Sequence, residues 1–122
     1  MKHSPGFLAL VDDAKSRVRC IEVTEYAVMR SSGESHLLID VREESEFAAG
    51  HAAGSIHIGK GIIERDIEAR VPDKSVSIVL YCGGGYRSAL AADALRIMGY
   101  ESVISLEGGW RAWQEAGFPT EF

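Results

Sequence analysis

The amino-acid sequence predicts an α/β fold: a mostly parallel central sheet of about five strands with helices on both faces, plus an extra N-terminal helix. Two observations carry this expectation. Short runs rich in β-branched residues alternate with segments of helical periodicity, and those runs are almost uninterruptedly apolar, as strands buried on both faces must be. The chain has 122 residues, 46% hydrophobic and 25% charged, which suits one domain with its own core and excludes disordered or disulfide-scaffold classes. The expected division is a helix over residues 1–20 followed by one domain over 21–122.

Ser4-Pro5 reads as an N-cap and a helix-compatible proline, after which Phe7, Val11, Ala14 and Val18 recur at helical spacing. That apolar stripe is expected to bury against the protein's own sheet-flanking helices, away from the chemistry, with a dimer interface as the second choice. An extended piece follows at Ile21–Val23, then a helix capped by Thr24 that ends at Ser31-Ser32-Gly33. Strands are predicted over 37–41, 76–81 and 102–106, with a shorter one at Ile56–Ile58. A helix over Ser88–Met98 gathers Leu90, Ala91, Ala94, Leu95 and Met98 on one face, and Gly99 stands at its C′ position.

Thirteen basic against 18 acidic residues give a formal charge of −5, leaving no cationic footprint for a nucleic acid. No apolar run approaches the roughly 20 residues that cross a bilayer, so no membrane partner is expected. Met1 to Pro5 does not read as the start of a signal peptide, and Cys20 and Cys82 read as two free thiols, so a cytoplasmic location is expected.

The chemistry concentrates where strand 76–81 runs into Cys82-Gly83-Gly84-Gly85-Tyr86-Arg87-Ser88. A cysteine here faces unpaired N–H groups and the positive end of the helix dipole, which favour thiolate over thiol. Glycines allow the loop to curl so that several N–H groups aim at one atom, and Arg87 adds a permanent charge. The result is an anion cradle built around sulfur.

This segment resembles the active-site loop of single-domain rhodaneses, which reads Cys, two variable residues, Gly, one variable residue, Arg, Ser. Asp40-Val41-Arg42, Glu46-Phe47, Gly50-His51, Gly54-Ser55-Ile56-His57-Ile58, Leu106-Glu107-Gly108-Gly109-Trp110 and Gly117-Phe118-Pro119 follow the family's order, so the likeness spans about residues 21–119. Ala52-Ala53 departs from it, where many relatives have a hydrophobic residue and proline. The resemblance implies a sulfurtransferase: Cys82 takes a sulfane sulfur from a small donor such as thiosulfate or a persulfide, and a thiol, cyanide or protein acceptor removes it. It implies no cofactor beyond the covalent persulfide, and no metal. Cys82 and Arg87 are then the catalytic candidates, with Gly83, Gly84, Gly85, Tyr86 and Ser88 binding substrate.

Asp40, Arg42, Glu46 and Trp110 are candidate supports: Asp40 to orient a loop arginine and Arg42 to pair with Glu46, unless these are ordinary surface ion pairs. Trp110 is expected at the substrate mouth. His51 is expected in a structural hydrogen bond, Cys20 as a buried structural thiol, and His3, His36 and His57 lack metal-ligand spacing. The rival readings are a cysteine-loop phosphatase or arsenate reductase, and a non-catalytic interaction module. Phosphatase loops of that class place five residues between Cys and Arg, whereas Gly83 to Tyr86 make four.

Overall fold

The protein is described from a computed structural model covering residues 2–122. Its main sheet has five strands, all parallel, in the order β1 (Arg19–Ile21), β6 (Val103–Leu106), β5 (Ile78–Tyr81), β2 (Leu37–Asp40), β4 (Ile56–His57). Alternation along β5 sends Ile78 and Leu80 to one face and Val79 and Tyr81 to the other, so the sheet supports two cores. One core is covered by α4 (Ile63–Arg70) and α5 (Tyr86–Ile97), the other by α2 (Val23–Ser31) and α6 (Gly109–Glu115). The predicted class, including the extra N-terminal helix α1 (Pro5–Lys15), is what the chain adopts.

Several boundaries differ for identifiable reasons. Thr24 is not a cap: Glu22 occupies the N-cap and exchanges hydrogen bonds with Glu25, a capping box that satisfies two unpaired amide donors. Val23 therefore opens the helix, and the extended piece lies earlier, at Arg19–Ile21. The long helix opens at Tyr86 instead of Ser88, because Gly85 takes φ 97° at the N-cap and turns the chain two residues sooner. Helix α1 ends at Lys15, so Val18 reaches the core from the connecting segment. Helix α4 was not predicted, nor was the antiparallel pairing of β3 (His51–Ala52) with β7 (Thr120–Glu121).

From β2 the chain leaves through α3 (Glu44–Ala49) toward the β4 edge, whereas from β5 it leaves toward β6. A crevice opens at the carboxyl ends of two parallel strands whose connections diverge, and Asp40 and Cys82 both stand there. Asp40 is fully buried and accepts from the Arg42 amide (2.9 Å) and guanidinium (2.8 Å to Nη2). The same guanidinium donates to the Gly50 carbonyl (2.7 Å) and lies over the Trp110 ring (4.9 Å to its centroid). His57 Nε2 donates to the Arg42 carbonyl at 2.7 Å. One buried pair thus ties together the ends of β2 and β4, the residue after α3 and the start of α6.

Asp40→Ala would leave Arg42 buried and uncompensated, so a loss of about 3–5 kcal/mol is expected. Urea unfolding of the parent and the variant measures it, and a loss below about 1 kcal/mol would place the pair among weak surface interactions.

Candidate active site

Cys82 lies just past β5 and is 1% exposed. Its Sγ accepts from the Gly85 amide at 3.2 Å and the Ser88 amide at 3.3 Å, the unpaired donors of the first turn of α5. Ser88 Oγ stands 3.5 Å from the sulfur and 2.9 Å from Ser105 Oγ, so a hydroxyl pair beneath the cradle joins it to β6. The loop is clamped from α6 as well. The amides of Trp110 and Arg111 donate to the carbonyls of Cys82 (2.7 Å) and Gly83 (3.2 Å). Gly109 permits this approach: its φ is +48°, and a Cβ there would collide with the Cys82 carbonyl.

A pocket of about 230 Å³ opens above the sulfur, lined by His3, Phe7, Cys82, Gly83, Gly84, Tyr86, Arg87 and Arg111. Gly83 leaves room for Arg87, since a Cβ there would stand 3.2 Å from its Nη2, whereas one at Gly84 would make only an ordinary contact of 3.6 Å with Arg111 Nη2.

The supporting residues are paired differently from the sequence expectation. Glu46 holds Arg87 instead of Arg42, with contacts of 2.9 and 3.4 Å to the two ends of the guanidinium. Asp40 orients Arg42, on its own turn, and not an arginine of the cysteine loop. The reason is reach: Arg42 folds back onto the buried carboxylate two residues earlier, which frees Glu46 at the start of α3 to face the loop. Trp110 does not line the pocket; its ring is half-buried under Arg42 and its amide supports the cysteine loop. The mouth position belongs to Arg111, which the motif-based reading missed although it directly follows Gly108-Gly109-Trp110.

His51 and Cys20 fall outside the pocket. His51 Nδ1 donates to the Phe47 carbonyl (2.9 Å) and its ring stacks on Phe47, a structural arrangement. Cys20 is a free thiol on β1, and burial pushes its pKa up. Among the described residues no cluster of three or more His, Cys, Asp or Glu could hold a metal ion, and no helix is long and apolar enough to cross a membrane.

Cys82 thus sits within amide donors at a helix start, at the diverging point of the parallel sheet of an α/β protein. The family model for the rhodanese-like domain matches residues 22–116, and the chain belongs to that family. A Synechocystis protein, slr1261, described as uncharacterized, is 38% identical over 85 residues, covering 69% of this chain and 46% of its own. The chain thus spans about half the length of that relative. A solved structure from Rhodopseudomonas palustris, described as of unknown function and a possible tyrosine phosphatase, superposes with a TM-score of 0.85 at 31% identity, covering 99% of this chain and 98% of its own. A human single-domain sulfurtransferase superposes at 0.70 and 25% identity, covering 80% of this chain and 96% of its own.

The Arg87 hydrogen bond holds the Glu46 carboxyl below the usual carboxylate range. A depressed folded-state value means that the pair's stabilisation is present above the unfolded value of about 4.3 and is lost as pH falls through the lower folded value. The stability difference between the parent and Glu46→Gln should therefore be constant near neutrality and shrink at pH below about 4. Urea titrations at stepped pH test this; a difference that grows on acidification would contradict it.

Proposed function

We propose that the protein is a sulfurtransferase that carries sulfur as a persulfide on Cys82. The observation that carries this reading is the convergence of the Gly85 and Ser88 amides on a single buried sulfur. Those donors are aimed at the sulfur before reaction and stand beside a persulfide formed on it, so charge moves outward by one atom without reorganisation of the site. In the first step Cys82 thiolate attacks the outer sulfur of thiosulfate or an organic persulfide. A new S–S bond forms, the donor's S–S bond breaks, and the bonding pair leaves as sulfite or the donor thiolate. An acceptor thiolate or cyanide then attacks the outer sulfur, and the pair returns to Cys82. Neither step needs a general base once the thiolates exist, and no metal or organic cofactor enters. Family membership and the likeness to a human sulfurtransferase support the same chemistry.

The Rhodopseudomonas neighbour's description keeps phosphate-ester hydrolysis as the rival. Against it stands the loop, in which only four residues separate Cys82 from Arg87 and the amides close on sulfur itself. A tetrahedral oxyanion needs donors spread over a wider ring.

Incubation with thiosulfate should add the mass of one sulfur atom to the Cys82 peptide, and Cys82→Ser should abolish thiosulfate-to-cyanide transfer while Cys20→Ser keeps most of it. A folded parent that gains no sulfur from any donor and turns over none would return the fold to the role of an interaction module.

Inserting one glycine between Gly84 and Gly85 should lower transfer roughly a hundredfold or more by displacing the donors from the sulfur. Circular dichroism should report an intact fold, because the insertion lies in a loop. An unchanged rate in the folded variant would show that ring size does not select the substrate.

A further inference from the structure

The pocket above Cys82 is larger and more varied than a sulfane sulfur requires. Its volume of about 230 Å³ is room for about eight water-sized groups. One wall is aromatic: the rings of His3 and Tyr86 lie 4.4 Å apart, those of His3 and Phe7 5.2 Å, and those of Phe7 and Tyr86 6.2 Å. The other wall is cationic, with Arg87 and Arg111 and, among the described residues, no acidic side chain lining it.

These two arginines differ in how they are held. Arg87 is anchored by Glu46. Arg111, among the described residues, has no carboxylate within salt-bridge distance. It stands exposed at the rim of a pocket whose floor is the reacting sulfur. An inorganic dianion could use the arginines but has no apolar surface to lay against the rings. A neutral alkyl thiol could use the rings but leaves the cationic wall unanswered. A short carbon chain bearing a thiol at one end and a carboxylate at the other meets both.

We propose that His3, Phe7 and Tyr86, together with Arg111, form a recognition pocket for a short-chain mercapto acid that accepts the sulfur, with Arg111 gripping the carboxylate and the rings packing on the carbon chain. The inference rests on the persulfide reading of Cys82. It makes the N-terminal segment part of the site, contrary to the sequence expectation that this helix lies apart from the chemistry. Planar guanidinium suits a carboxylate through paired hydrogen bonds. The acceptor, having lost its thiol proton to solvent, attacks the outer sulfur of the persulfide. One S–S bond forms as the other breaks, and Cys82 recovers the electron pair as thiolate.

The test uses the full chain loaded with sulfur by inorganic polysulfide and mixed with 3-mercaptopropionate or with its amide, 3-mercaptopropionamide. Loss of the extra sulfur from the Cys82 peptide is followed against acceptor concentration. In the parent the acid should half-saturate at a concentration at least about tenfold below the amide, the scale of one charge-assisted contact. Arg111→Met should erase that preference by weakening the acid alone, and Arg111→Lys should restore part of it. His3→Ala combined with Phe7→Ala should weaken acid and amide alike, with the fold verified by circular dichroism. Equal use of acid and amide by the parent, or a preference that survives Arg111→Met, would overturn the pocket assignment while leaving persulfide transfer intact. A double variant that binds both acceptors as the parent does would remove the aromatic wall from the proposal. If Cys82 neither holds nor releases sulfur, the transfer reading fails and this inference with it.

Discussion

The Cys82 carbonyl is bonded from outside its own loop, by the Trp110 amide at 2.7 Å, and much of the site depends on that bond. Three consecutive glycines make the loop able to curl around sulfur but also give it the largest backbone entropy to lose. Side chains cannot hold it, because it has almost none. Two amides from the start of α6 do so instead, and the Ser88–Ser105 hydroxyl pair adds a contact with β6 beneath. Gly109 makes the clamp possible, since any side chain at its positive φ would meet the carbonyl it must let approach. The glycine pair before Trp110 and the glycine run after Cys82 are therefore two halves of one device.

Charge is divided in a way that follows from this construction. Arg42 is spent entirely on Asp40 and the neighbouring backbone, where it fixes the floor of the crevice. Arg87 borders the sulfur pocket but is oriented by Glu46, so its position is set before any substrate arrives. Arg111, among the described residues, has no carboxylate within salt-bridge distance and stands exposed at the pocket rim.

Much of this was legible in the sequence, for reasons that mark where the rest was not. The strands could be read because burial on both faces leaves runs such as Ile78–Tyr81 apolar throughout. The amides around Cys82 could be read because a glycine run at a strand-to-helix junction leaves unpaired N–H groups free to turn onto a side chain there. The pairing of Glu46 with Arg87 could not, since these residues are 41 apart and only the sheet order brings α3 beside α5. Arg42 and Glu46, one helical turn apart, offered a local partner that the buried Asp40 outcompetes. Helix α4 was missed because its core contribution comes from Ile63 and Ile67 while charged residues fill most of its other positions. Short edge pairings such as β3 with β7 leave almost no periodic signal in two residues.

Helix α1 lies outside residues 22–116, yet its burial pattern explains why it reaches the site. Val11 and Ala14 are buried, which commits the helix to a fixed seat. The chain just beyond it is pinned by Arg17, which donates to Asp93 on α5 at 2.8 Å, and Lys15 pairs with Glu107 at 3.0 Å in the turn after β6. Phe7 precedes Val11 by one turn and so lies on the same stripe, but here the stripe has passed the start of α5, where Tyr86 stands. The ring has no core left to enter and becomes a wall of the pocket. The hydrophobic periodicity that docks the helix through Val11 and Ala14 is thus also what places the Phe7 ring in the wall of the pocket that holds Cys82.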